Sequence, residues 1–277
     1  MEEANRHMDR RSWLMMTGGI AACGCCGCRS APMTGRRQMI VFPEQTEISM
    51  GQQAFTQVLS EQKESAPSIK SELVREVGNR IAQASGRSDY QWEVRLVESQ
   101  EQNAFCLPGG KIVVYEGILP VCQNEAGLAV VMSHEVAHVL ARHGGERMSQ
   151  QAAVNGAQQL VGVLTQNKEQ VTRELWMKAY GVATNYGVLL PYSRKHEMEA
   201  DHIGLMLMSQ AGYDPSEAPK FWTRFASASS GAAKPPEFMS THPADHRRAS
   251  ELEKLLPEAL DIYRQAQQPI GIGRLIV

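Results

Sequence analysis

The chain has no surplus of positive charge. Its 28 Lys and Arg stand against 30 Asp and Glu, giving a formal net charge of -2. A face built for phosphates shows as a basic excess, so nucleic acid is excluded as a main partner. No long acidic or basic tail stands out either. Cysteine is scarce in the body of the chain. Of the six, Cys23, Cys25, Cys26 and Cys28 crowd near the start, and only Cys106 and Cys122 lie further on. That distribution excludes the disulfide framework of a small secreted domain, although a Cys106–Cys122 bond stays open. Long hydrophobic runs are missing too. The best one after the N-terminal region, residues 182–190, is broken by Thr184, Asn185 and Tyr186, whereas a spanning helix needs about 20 apolar residues. No internal repeat is visible. What is present is 277 residues, 43% of them apolar. That suits one domain with a sizeable core, with or without a small appendage.

The first thirty residues read as an address. Arg10 and Arg11 precede a short apolar stretch, residues 13–22, which is too short to cross a bilayer and reads as a signal peptide over 1–22. Ile20-Ala21-Ala22-Cys23 resembles a bacterial lipobox, with Cys23 as the lipidated residue; the twin arginines weakly resemble a twin-arginine export signal. An ordinary cleaved signal is the alternative. Cys23, Cys25, Cys26 and Cys28 are too tightly spaced for the usual pairs of a zinc knuckle. The expected product is a periplasm-facing lipoprotein, anchored to a bacterial membrane. Gly24 favours the outer membrane by habit of such proteins. Residues 23–38, with Pro32 and Gly35, read as a polar tether. A domain over 39–266 and a tail over 267–277 follow.

Hydrophobic spacing predicts helices over 45–60 and 68–85, the second ended by Gly86. Alternation of Trp92, Val94 and Leu96 predicts a strand, and "NAFCLPGGKIVVYEG" predicts two short strands around Pro108-Gly109-Gly110. Helices are then expected near 124–143, 147–164, 168–188, 194–211, 215–227 and 245–265. Gly144-Gly145 and Gly212 are the expected C-caps of the first and fourth. The fold class is α+β, predominantly helical, with one small sheet from residues 90–116.

The chemistry concentrates in "MSHEVAHVLARHGG", residues 132–145. Residues i and i+4 share a helix face, so His134 and His138 can reach one ion, with Glu135 placed beside it as a general base. A catalytic zinc needs a third protein ligand and an open position. A histidine six residues after His138 would supply it in one class of zinc peptidase, but Gly144 stands there, and His143 is one residue short and lies elsewhere on the helix. The second acidic segment, "PYSRKHEMEADHIGLML", offers Glu197 and Asp201 on one face. The economical assignment makes Glu197 the third ligand and Asp201 the acceptor of an imidazole N–H. Glu199 points about 200° away and is expected to be exposed, though a shift of one turn would exchange the roles. Gly204 would allow close packing of the two helices. His143 is expected at a helix C-terminus, His196 and His202 pointing away, and His246 exposed.

These motifs resemble the M48 zinc metallopeptidases of gluzincin type, and more closely the OMA1-like branch with its bacterial lipoprotein relatives. The matching text is "NAFCLPGGKIVVYEGIL", "HEVAH", "LPYSRKHEMEADHIGL", "STHPADHRR" and "APMTGRRQ", within roughly residues 31–255. The resemblance implies a zincin-type domain, one Zn2+ per chain, and endopeptidase action on unfolded, misfolded or membrane-associated proteins. It implies that Asn103, Ala104 and Phe105 belong to an edge strand that lines the cleft and pairs with extended substrate. It also implies that His242 can approach the metal and block it, and that Arg248 near the site serves the oxyanion. A purely structural strand, a loop histidine and a surface salt bridge are the respective alternatives. Two rivals to an active peptidase are a zinc-binding lipoprotein chaperone and a non-catalytic assembly factor. The oligomeric state is not specified by these residues.

Overall fold

The computed structural model describes residues 28–154, 192–229, 237–242 and 246–276. The expected signal peptide, the lipidation residue Cys23, and the helix over 168–188 lie outside the described residues.

The described part of the segment read as a polar tether is structured. From Cys28 the chain forms a hairpin, β1 (Cys28–Ser30) against β2 (Arg37–Met39), with Ser30 paired to Arg37. Two helices follow. Helix α1 (Glu44–Glu61) starts at Pro43. Helix α2 (Ile69–Ala84) starts with a reciprocal capping box between Ser68 and Ser71. It ends at Gly86, whose φ of +67° is the left-handed conformation glycine tolerates.

The expected small sheet is present. It comprises β3 (Glu93–Val97), β4 (Ala104–Leu107) and β5 (Lys111–Tyr115) in the order β3-β5-β4. Strand β5 runs parallel to β3 and antiparallel to β4, so β4 is an edge. The β4–β5 turn uses Gly109 and Gly110, both with φ +86°. Every residue of β4 and β5 is buried, because helices cover the sheet. Lys111 is tolerated there because its ammonium donates to Gln91 O and Glu93 Oε1, both at 2.6 Å.

A short helix α3 (Leu119–Cys122) leads into α4 (Glu125–Leu140). Helix α4 is buried on all sides from Glu125 to Val139, which its nearly continuous apolar sequence permits. Asn124 caps it, accepting from Gly127 N at 2.8 Å. Its end departs from expectation. The helix stops at Leu140, and Arg142, with φ +52°, makes the turn. Gly144 and Gly145 lie inside the next helix, α5 (His143–Val154). Gly145 is needed there for space, since a Cβ would collide with the Glu47 carboxylate.

Helix α6 (Arg194–Gln210), capped by Ser193, packs along α4. Helices α7 (Glu217–Ser229), α8 (Glu237–Thr241) and α9 (His246–Arg264) close the other side. The segment read as a tail is docked: Gly271 and Leu275 make backbone bridges to Tyr213 and Asn124. Cys106 and Cys122 are both buried free thiols, so the open disulfide is not formed. Among the described residues no helix is long and apolar enough to cross a membrane.

Candidate metal centre

The i, i+4 spacing on α4 sets His134 and His138 side by side, with their Nε2 atoms 3.1 Å apart. Helix α6 brings Glu197 to the same point. Its Oε2 lies 3.4 Å from His134 Nε2 and its Oε1 3.5 Å from His138 Nε2. His242, just beyond α8, adds a fourth donor: its Nδ1 is 3.1 Å from His134 Nε2 and 3.1 Å from Glu197 Oε1. One donor atom from each of these four buried residues lies within 4.8 Å of the others. Three imidazole nitrogens and a carboxylate converging in a buried pocket suit a borderline divalent cation of the zinc type.

The helices meet closely because of Gly204. A Cβ there would sit 3.1 Å from the backbone nitrogen of His134. Asp201, one turn along from Glu197, lies 3.0 Å from His134 Nδ1. That contact places the His134 proton on Nδ1 and turns the Nε2 lone pair toward the other donors. Burial disfavours the charged His134 ring, but its hydrogen bonds to Asp201 and Glu197 raise its pKa nonetheless. Burial and the neighbouring His134 push His138 well below its usual value. Burial also works against ionised Glu197, yet His242 and Arg248 hold its carboxyl well below the usual range.

Glu135 is buried beside this group. Its Oε1 lies 3.4 Å from His242 Nε2 and has no hydrogen-bond partner. Burial raises its pKa to about 7, against the opposing pull of His242. A buried carboxylate without a fixed donor is free to take up a proton from a molecule bound next to it.

The profile of Peptidase family M48 matches residues 68–256, a span that contains this whole group. This chain belongs to peptidase family M48. It is 41% identical over 231 residues to mitochondrial metalloendopeptidase OMA1 of Schizosaccharomyces pombe, covering 82% of this chain and 66% of that protein. It is 32% identical over 281 residues to the OMA1 of Saccharomyces cerevisiae, covering 93% of this chain and 77% of that one. It is 29% identical over 216 residues to the beta-barrel assembly-enhancing protease of Yersinia pestis, covering 74% of this chain but 43% of that protein.

Within this M48 domain Arg248 sits between two acidic groups. Its Nε and Nη2 donate to Asp201 at 2.7 and 2.6 Å, its Nη1 lies 2.9 Å from Glu197 Oε2, and its plane lies over the Trp222 ring. It is buried, not the surface ion pair of one reading, and its Nη1 makes no hydrogen bond. Asn103, Ala104 and Phe105 lie at the sheet edge. Ala104 and Phe105 pair with Val114 and Val113, and Phe105 packs against Tyr115. Asn103 is buried, and neither polar atom of its side chain has a hydrogen-bond partner.

Two sequence expectations for this M48 site fail together. Glu199 is buried, not exposed, and His143 opens a helix rather than closing one, whereas His196 is buried but directed at Glu146 and away from the four donors. The kink at Arg142 folds His143 back so that its Nδ1 lies 2.9 Å from His138 Nδ1. Its Nε2 lies 2.8 Å from Glu199 Oε2. Glu199 in turn meets Thr34 and Arg36 of the hairpin, and His196 meets Glu146 at 3.1 Å. Burial lowers the pKa of His143 to about 4, so it is neutral at neutral pH. The only sequence trace of this arrangement is "APMTGRRQ", whose part in the resemblance came without a role.

Proposed function

We propose that this M48 chain is a zinc metalloendopeptidase in which His134, His138 and Glu197 hold the metal and Glu135 is the general base. The observation that carries the reading is the convergence of four buried donor atoms beside the buried Glu135 carboxylate, whose Oε1 has no hydrogen-bond partner. A bound zinc ion would supply Lewis-acid activation of water and polarisation of the scissile carbonyl. Glu135 takes the proton of the attacking water and passes it to the leaving amine, a role suited to a carboxyl with a pKa near 7. Asp201 orients His134, and Arg248 buttresses Asp201 and Glu197 while its Nη1, which makes no hydrogen bond, serves the oxyanion. The β4 edge at Asn103, Ala104 and Phe105 receives an extended peptide by strand addition, with the unpaired Asn103 amide as a further donor and acceptor for it.

The substrates in this reading are misfolded or membrane-associated envelope proteins. The enzyme is held at a bacterial membrane, the outer one favoured, by a lipid on Cys23. These two statements rest on the lipobox-like sequence and on the character of the relatives.

His242 favours a second state of the same enzyme. Its Nδ1 stands among the ligand atoms. A fourth protein ligand closes the position that a catalytic site keeps open. The resting form is then latent and resembles a non-catalytic zinc-binding chaperone or assembly factor until His242 withdraws.

The test is cleavage of an unfolded model protein by wild type and Glu135→Gln, with bound zinc quantified in each. The expected outcome is equal zinc and a loss of about 10²–10⁴-fold in rate for the variant. Normal turnover by Glu135→Gln would sink the mechanism. Zinc in both without cleavage by either would favour the latent form, and His242→Ala should then restore hydrolysis.

A further inference from the structure

An unbroken line of polar contacts joins the N-terminal hairpin to the metal centre. Arg36 Nε donates to Glu199 Oε2 at 2.7 Å. Thr34 Oγ1 donates to the other oxygen of the same carboxylate. Glu199 Oε2 faces His143 Nε2 at 2.8 Å, and His143 Nδ1 faces His138 Nδ1 at 2.9 Å. The far side of the Arg36 guanidinium is held in a fork by Glu146, at 2.9 and 2.6 Å. Glu146 is itself fixed by Gln38 and His196.

Only one placement of protons satisfies this line once His138 is a ligand. Its Nε2 faces the other donors and must offer a lone pair, so its proton is on Nδ1. That proton points at His143 Nδ1, which therefore accepts. His143 then carries its own proton on Nε2, where it meets the Glu199 carboxylate. An anion at Glu199 fixes the order of the whole line, and Arg36 fixes the anion. We propose that Arg36 is a positioning residue for the metal centre. Acting through Glu199 and His143, it locks His138 in the tautomer and orientation that present Nε2 to the metal. Arg36 lies outside residues 68–256, where the family profile matches, so a segment beyond the matched region completes the site. The inference rests on the proposed ligand role of His138.

The experiment uses the full chain. Wild type, Arg36→Gln, Glu199→Gln and the double variant are stripped of metal and titrated with zinc against a chromophoric chelator. Metal-free melting curves and the absorption bands of the cobalt-loaded forms are recorded beside them. Each single variant is expected to bind zinc about 10–100-fold more weakly and to shift the cobalt bands. The double variant should be no weaker than the weaker single, because both cut the same line. Arg29→Gln, an exposed arginine of the same hairpin, should bind zinc like wild type. Zinc affinity of Arg36→Gln within about twofold of wild type overturns the proposal. So does a loss that adds in full to that of Glu199→Gln. Should Arg36→Gln fail to fold, Arg36→Lys decides, since one ammonium cannot hold Glu199 and the Glu146 fork in the same geometry, and zinc affinity in it within about twofold of wild type is fatal. A wild type that binds no zinc refutes the ligand assignment as well, whereas zinc-binding variants equal to a zinc-binding wild type refute the line from Arg36 alone.

Discussion

Arg248 has two nitrogens hydrogen-bonded to Asp201 and a third in ion-pair range of Glu197, with Trp222 stacked on its face. Removing one partner from a buried ionic cluster leaves the others uncompensated, at about 3–5 kcal/mol. Arg248→Met is therefore expected to destabilise the metal-free protein by about that amount in urea unfolding. A residue that only donated to the reaction's oxyanion would instead lower kcat and leave the unfolding curve in place. Glu146 gives a second residue-scale prediction. Burial opposes its ionisation, but hydrogen bonds from Arg36 and His196 outweigh this and hold its carboxyl far below 4.5. The unfolded chain takes up that proton first as pH falls. The stability contributed by Glu146 is thus fully present above about pH 4.5 and is lost progressively below it. Glu146→Gln should flatten the decline of melting temperature between about pH 4.5 and 3. An unchanged slope in that window would count against the Arg36–Glu146 pair.

Helices α4 and α6 carry every residue of the HExxH and acidic motifs, and their separation is set at Gly204. A methyl group there would press on the backbone of Ser133 and His134, which belongs to a helix buried on all sides and has little room to retreat. Gly204→Ala should cost about 1–3 kcal/mol of stability and weaken zinc binding, read by thermal unfolding and metal titration. Stability at or above wild type would show that the helices adjust freely. Helix periodicity made much of this pair legible. The spacing of His134, His138, Glu197 and Asp201 already states which side chains share a face. It does not state what covers the opposite face. Glu199 is indeed turned away from Glu197, but the β1–β2 hairpin lies over that side and gives its carboxylate Thr34 and Arg36 as partners. Likewise Gly144-Gly145 looks like the natural stop for α4. The chain instead places Arg142 at φ +52° and keeps Gly145 for the room that Glu47 requires. Both misreadings arise where a long-range contact overrides a local signal.

Across the whole molecule, α4 is clasped at both ends by segments distant in sequence. Beyond its C-terminus the hairpin reaches it through Glu199 and His143. At its N-terminus the backbone carbonyls of Arg274 and Ile272 accept from Glu125 N at 3.0 Å and Ala126 N at 3.1 Å. Those two N–H groups belong to the set no helix can satisfy internally. The Arg274 side chain adds ion pairs to Glu125 and Glu76. Residues 267–277, which composition marks only as a tail, thus behave as part of the domain. Their deletion should leave two buried donors unpaired, at about 1–3 kcal/mol each, and lower the urea midpoint accordingly. A midpoint equal to that of the intact chain would show the segment to be dispensable. The clasp also sets an order of events during synthesis. The helix bearing His134 and His138 leaves the ribosome well before Ile272 and Arg274, so it lacks these partners while the intervening chain is being built. A nascent chain interrupted between α9 and Ile272 therefore carries helix α4 with its first backbone N–H groups still open.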